Sequence, residues 1–600
     1  MSYDRIRTII IMMVIIAAMS ALIPNAAMAQ SLFGGGRNNF YGPSAFELGF
    51  IRVMTMAISI GCGFALGWFF SPQAKELRRL ILGIVAVIAV LIAIFNNGAP
   101  GWGLTMIISI IGFFVGLGYW LGQKLRKLAE VPSTFGTAKW AQPQDLKTNK
   151  LFETGGLRLG SAFDGERESK ISYKGNRHVL VVAPTRSGKG VTQIVRNLLM
   201  YEGSTMVIDP KGENALITAK ARQTMGQKVM VVDPWKIATI DGVQTARFNP
   251  LDWLVLGDPD ISENAMLLAD AIIVKTGDKE AFWDQMGVGL LQGEILYVAT
   301  DEREAGQRHL PRVRDLMMLD GDDLRALFER MLESPHHVVA STGARMLQMD
   351  EKLLSNVMAS VQSHTQFLDS PRLRENLSVS DFKFEDLKAE KMSVYLVLPA
   401  DRLQAFSPWL RLLVQQAITV NARNIEQKPE KPILFILDEM AALGRLTMVE
   451  QAYGLMAGFG MQLYGVVQDL GQLKRIYGDG YETFIGNSGL IQYFGSRDRM
   501  TADYFSALCG EATVWNFSSA FSRTFGSSTG SNGGSSSSST GSTDTTAAAQ
   551  RKLAYPDELM RLPKNKQLIF IDNMDPIIAI KEPWYENMAL NTKGNNLHKG

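Results

Sequence analysis

Two regimes of hydrophobic patterning divide this chain. Over the first 122 residues apolar positions fall in long runs: Ile9–Ile23, Val53–Phe70, Leu80–Phe95 and Leu104–Gly122. At about 1.5 Å of rise per residue, Val53–Phe70 and Leu104–Gly122 predict helices that cross a hydrocarbon layer, with Leu80–Phe95 marginal. From about residue 178 the apolar runs shorten and alternate with segments of helical period. His178–Val182, Thr205–Ile208, Lys228–Val232, Val394–Leu398, Ile433–Leu437, Gln462–Val467, Leu490–Phe494 and Gln567–Ile571 read as strands. Several are apolar throughout, the pattern of parallel strands covered on both faces, so an α/β doubly wound sheet is expected. Between Asp260 and about Gln366 strand signals stop. Glu263–Val274, Trp283–Ala299 and Arg345–Phe367 repeat at helical spacing and predict an inserted all-helical subdomain. Residues 526–548, dominated by Gly, Ser and Thr, bury too little apolar surface to offset ordering and read as a mobile loop.

Charge sharpens the division. Residues 1–123 carry seven Lys/Arg and three Asp/Glu, leaving 54 basic and 56 acidic side chains for the rest. The sequence alone thus reads as a multi-pass anchor over 46–122 on a charged body. Ile9–Ile23 follows Arg5 and Arg7 and precedes a small-residue stretch ending at Ala29, so residues 1–29 are a cleaved signal peptide or an uncleaved first helix. Lys75, Arg78 and Arg79, and then Lys124, Arg126 and Lys127, place the 71–79 loop and everything after 123 in the cytoplasm. A bacterial inner-membrane location is the expectation. Gly63-x-x-x-Gly67 and Gly112-x-x-x-Gly116 suit close helix packing within one chain.

Composition excludes several functions. Two cysteines rule out a disulfide framework or a Cys-rich metal site, and six histidines without metal-ligand spacing argue against a His-built metalloenzyme. A formal net charge of +2 gives no whole-chain basic footprint for coating nucleic acid, and no dense interleaving of aromatic and basic residues marks a single-strand groove.

The sharpest chemistry lies at residues 179–191, where an apolar strand ends in Ala183-Pro184-Thr185-Arg186-Ser187-Gly188-Lys189-Gly190-Val191 before a helical pattern. A phosphate chain needs backbone amides converging at a helix start and a lysine reaching the terminal phosphates. Thr185, Arg186, Ser187, Gly188, Lys189, Gly190 and Val191 are therefore the candidate nucleotide-binding residues. The strict G-x-x-x-x-G-K-[ST] pattern is not met, since Ala183 replaces the first glycine and Gly190 the magnesium-binding hydroxyl. A plain strand-to-helix turn with a solvated lysine is the alternative. Ile433–Leu437 followed by Asp438-Glu439 supplies the complementary half: Asp438 as the Mg²⁺ ligand through water, Glu439 as the base for the attacking water. A helix-capping Asp-Glu pair is the bland reading there. Gln468, at the end of the next strand, is placed to sense the γ-phosphate, or is a simple turn residue.

These residues resemble the type IV secretion coupling proteins, the TraG-like ATPases. Ala183–Gly190, Asp209-Pro210-Lys211-Gly212-Glu213, Asn249-Pro250-Leu251-Asp252, Leu437-Asp438-Glu439 with Leu443-Gly444, and Gln468-Asp469 with Gln472-Leu473 occur in family order across roughly 130–590. Pro210 departs from the usual leucine. The resemblance implies a RecA-like P-loop sheet over 178–257 and 376–600, a linker at 123–177, and a helical subdomain at 258–375 that meets substrates. It also implies ATP and Mg²⁺ as cofactors, a homo-hexamer with a trans-acting arginine (Arg445 or Arg497), and type IV secretion channel components as partners. Cargo would be a relaxase–single-stranded DNA complex or protein effectors. A motor is thereby expected, with a nucleotide-regulated cargo receptor as the alternative. A chromosome-segregation translocase would need a longer tail than residues 573–600.

Overall fold

The computed structural model describes residues 45–70, 108–119, 136–274, 281–530 and 533–597. The chain forms two units, one of residues 1–134 with 513–549, the other of 135–512 with 550–600.

In the first unit, Ala45–Phe70 is a helix and 108–119 is helical. The two pack through glycine. A Cβ on Gly63 would lie 2.4 Å from the Phe113 carbonyl, and one on Gly116 would lie 3.1 Å from the Phe64 amide. Ser59 Oγ donates to the Ser109 carbonyl at 3.2 Å. The expected intrachain glycine packing is therefore present. The multi-pass inner-membrane reading is corrected here: among the described residues no helix is long and apolar enough to cross a membrane. Ile9–Ile23 and Leu80–Phe95 lie outside the described residues.

The second unit is built on one mixed sheet. Its strands are β1 (Leu157–Phe163), β2 (Glu168–Tyr173), β3 (His178–Val182), β4 (Thr205–Asp209), β5 (Lys228–Val232), β6 (Met392–Val397), β7 (Ile433–Asp438), β8 (Met461–Val467) and β9 (Ser488–Tyr493). A long pair, β10 (Glu511–Gly530) and β11 (Gly533–Lys552), forms its own two-stranded sheet, of which 513–549 belong to the first unit, and β12 (Lys566–Ile571) and β13 (Ile577–Ile580) return to the main one. The main sheet has eleven strands in the order β2-β1-β13-β12-β9-β3-β8-β7-β4-β6-β5. From β9 to β5 neighbours run parallel; from β9 outward to β2 they run antiparallel.

The parallel half follows from its residues. β3, β4, β6, β8 and β9 are buried along their whole length, so each contributes side chains to both faces. One face packs with the helical insertion and with Leu403–Arg423, whose Trp409 is fully buried; the other packs with Leu146, Ile194, Leu198 and their neighbours. His178 tightens the start of β3: Nδ1 accepts from the Leu463 amide at 3.1 Å and Nε2 donates to the Ala452 carbonyl at 2.8 Å.

Between β5 and β6 the chain turns helical, as the periodicity predicted. The insertion holds Ile261–Ile272, Ala281–Thr300, Leu310–Met317, Gly321–Leu332, His337–Leu347, Glu351–His364 and Pro371–Asn376. The predicted segment Arg345–Phe367 is broken in two because Asp350 leaves the helix and accepts from the Leu353 amide at 2.9 Å. Residues 526–530 and 533–548, within the run read as a mobile loop, belong to the β10–β11 pair.

Candidate nucleotide-binding site

Strand register sets the site. Val182 lies opposite Val467, Asp438 opposite Val466, and Ile208 opposite Leu437, so β3, β8, β7 and β4 end nearly level. Whatever follows those strands meets at one edge, the carboxyl edge where open parallel sheets bind ligands. The phosphate turn leaves β3, Asp209 ends β4, Asp438 and Glu439 end β7, and Gln468 follows β8. Together they line a cleft of about 990 Å³.

The turn is held in an uncommon backbone. Arg186 has φ of 62° and Gly188 φ of 90°, and the helix that follows opens with a π-turn over Gly190–Ile194 before Val195–Leu198. Left-handed backbone is costly for a side-chain-bearing residue and is kept where surroundings enforce it. Thr192 reinforces the turn, its hydroxyl donating to the Gly188 carbonyl at 2.8 Å. Gly190 is different: among the described residues a Cβ there would meet nothing within 4 Å, so no contact with them requires glycine.

Lys189 reaches the acidic couple from this turn. Its Nζ lies 2.9 Å from Asp438 Oδ1 and 3.9 Å from Glu439 Oε2. These three side chains are only 17–20 % exposed, so the charges face the cleft under partial shielding from water. Asp438 Oδ1 is buried and receives no well-directed hydrogen bond. Glu439 sits in the left-handed region at φ of 80°. Its carboxylate accepts from Gln468 Nε2 at 3.2 Å on both oxygens and from Gln472 Nε2 at 3.1 Å. Gln472 Oε1 in turn accepts from the Gln468 amide, and Asp469 caps that helix by accepting from the Gln472 amide. The Asp438-Glu439 pair therefore does not cap a helix through its side chains.

Of the sequence-predicted residues, Thr185, Arg186, Gly188, Lys189, Gly190, Val191, Asp438, Glu439 and Gln468 all line the cleft. Ser187 does not; its buried hydroxyl has no hydrogen-bond partner, and its carbonyl accepts from Lys581 Nζ at 3.0 Å. Arg445 and Arg497 are exposed and do not line the cleft of their own chain.

Sequence reasoning missed several lining residues. Asp209 is buried beside the cleft, and burial pushes its carboxyl up to about 7, with the nearby Asp438 charge adding to the rise. The motif Asp209–Glu213 was the available signal. Gln472 was visible only as part of the Gln472-Leu473 motif. Leu403 and Gln404 from the helix after β6, and Trp584 and Tyr585 after β13, carried no local signal.

The described residues contain no cluster of three or more metal-ligating side chains. Mg²⁺ characteristically uses one or two carboxylates with phosphate oxygens and water, so the Asp438 carboxylate, paired with Lys189 here, fits that ion without a protein cage. Asp438 would hold it, and when bound it would neutralise charge on the phosphates.

Residues 138–599 match the family model described as "Type IV secretory system Conjugative DNA transfer". The chain is 29% identical over 472 residues to the conjugal transfer protein TraG of Escherichia coli, covering 72% of this chain and 71% of TraG. It is 27% identical over 471 residues to the protein VirD4 of Rhizobium radiobacter, covering 76% of this chain and 64% of VirD4. Among solved structures it is similar to the plasmid coupling protein TrwB in complex with the ATP analogue ADPNP. That likeness has a TM-score of 0.55 at 16% identity and covers 75% of this chain and 96% of TrwB. TrwB in complex with ADP and Mg²⁺ aligns at a TM-score of 0.51 and 17% identity, over 68% of this chain and 85% of that one. With its family model spanning most of the sequence and its sheet folded like that of TrwB, this chain belongs to the type IV secretory system conjugative DNA transfer family.

Proposed function

We propose that this protein is a RecA-like P-loop ATPase that uses ATP hydrolysis to drive a relaxase–single-stranded DNA complex, or protein effectors, into a type IV secretion channel. One observation carries the reading: Lys189, Asp438, Glu439 and Gln468 converge from three strand ends on one cleft, although they lie far apart in sequence.

The residues divide the work. Amides of the turn from Thr185 to Gly190 receive the phosphates, and Arg186, exposed at the lip, adds positive charge. Without nucleotide, Lys189 neutralises Asp438 and Glu439. An arriving triphosphate draws the ammonium towards its terminal phosphates and frees Asp438 for Mg²⁺. Glu439 then takes the proton of the attacking water, oriented by the Gln468 and Gln472 amides. Assembly as a homo-hexamer would let an arginine from a neighbouring subunit, Arg445 or Arg497, reach the transferred charge.

The test is cargo-stimulated turnover by the full chain. Single-stranded DNA with its relaxase should raise ATP hydrolysis, and Glu439→Gln should abolish the rise while cargo still binds. Transfer that proceeds unchanged with Glu439→Gln would replace the motor with a nucleotide-regulated receptor.

A further inference from the structure

The segment just after β13 meets the nucleotide cleft from behind and from one end, and no part of the mechanism above uses it. Lys581 is buried, donates to the Ser187 carbonyl at 3.0 Å, and sits 4.4 Å from the centroid of Phe494. Among the described residues it has no carboxylate partner, and the Ser187 carbonyl and the Phe494 ring face take its charge. Glu582 locks the segment to the helix that follows the turn. Its carboxylate pairs with Arg196 at 2.5 Å and accepts from Ser161, while its carbonyl accepts from Arg196 Nη1 at 2.8 Å. Trp584, only 2% exposed, packs with Val195, Leu199, Ile217 and Leu590. Tyr585 stands edge-on to it, with ring centroids 6.0 Å apart, yet remains 40% exposed on the cleft beside Val191 and Ile217.

We propose that Lys581–Tyr585 completes the nucleotide site, Lys581 fixing the phosphate turn through Ser187 and Tyr585 offering its ring to an aromatic nucleobase. The proposal rests on the nucleotide reading of this cleft. A buried tryptophan under an accessible tyrosine makes a rigid stacking platform, and stacking requires only a π-face on the ligand. Lys581 is a positioning residue: it touches the turn, not the nucleotide. Holding the Ser187 carbonyl on the far side leaves the following amides directed at the cleft.

Two ligands separate the roles: ATP, and inorganic tripolyphosphate, which has no base. Equilibrium binding to the full chain should show Tyr585→Ala weakening ATP about tenfold and leaving tripolyphosphate unchanged, with Tyr585→Phe as wild type. Lys581→Met should weaken both ligands alike, about tenfold, with Lys581→Arg recovering most of the loss. Unchanged ATP binding in either Tyr585→Ala or Lys581→Met overturns the proposal, as does an equal loss of both ligands in Tyr585→Ala. If the wild-type chain bound neither ligand, the nucleotide reading itself would fail.

Discussion

Single residues carry the chemistry through charge and backbone conformation. Among the described residues, Lys189 is the one ammonium close to both Asp438 and Glu439, at 2.9 and 3.9 Å. Lys189→Ala would leave those neighbouring carboxylates without their ammonium and remove the cation expected at the terminal phosphates. Glu439→Gln keeps the size and the left-handed backbone but cannot accept a proton, so bound ATP should persist while turnover falls about 100-fold or more in a single-turnover assay. A wild-type rate in that variant would remove Glu439 as the base. These two positions were legible in the sequence because an apolar strand followed by Gly-Lys, and another followed by Asp-Glu, are local patterns. Asp209 was legible only as part of a motif, since its proximity to Asp438 depends on β4 and β7 being neighbours.

Elements are stabilised by groups that serve packing alone. Arg222, fully buried on Glu213–Thr224, donates to the carbonyls of Leu198 (3.0 Å) and Gly203 (2.7 Å), to Ser393 Oγ (2.8 Å) and to Gln227 Oε1 (2.7 Å). It ties the end of the helix after the phosphate turn to β4 and β6 without a carboxylate, and burial lowers its pKa to about 10. Arg222→Met should cost about 3 kcal/mol in urea unfolding, because it strands several buried acceptors; a loss under about 1 kcal/mol would contradict that role. His178 sets a pH limit. Burial lowers its pKa to about 4, so its folded form stays neutral while the unfolded chain takes up a proton near 6.5. Its contribution, about 3 kcal/mol, is complete above pH 6.5 and is lost as pH falls towards 4. Thermal melts should fall more steeply across that window in wild type than in His178→Gln. All eight strands predicted from apolar runs are present within a residue or two at each end. β1, β2 and β13 were not legible: Gly160 interrupts β1 at a register shift, β2 is polar in its first half, and β13 has only four residues. That antiparallel edge is what delivers Lys581 and Tyr585 to the cleft.

At the scale of the molecule, one sheet joins the proposed phosphate turn near residue 189 to an acidic couple near 438, with an all-helical insertion between β5 and β6. The insertion was legible because helical period replaced strand period across more than a hundred residues. The multi-pass reading was not supported: among the described residues no helix is long and apolar enough to cross a membrane. A ring assembly makes its own prediction. Mixing Lys189→Ala chains with chains lacking the trans arginine should restore part of the ATPase activity that each lacks alone. Recovery with neither Arg445→Ala nor Arg497→Ala would remove both candidates. The most direct measurement is equilibrium binding of ATP with Mg²⁺ to the full chain, wild type against Lys189→Ala. The account predicts that affinity falls about 100-fold or more in the variant. Equal affinity in the two would contradict it.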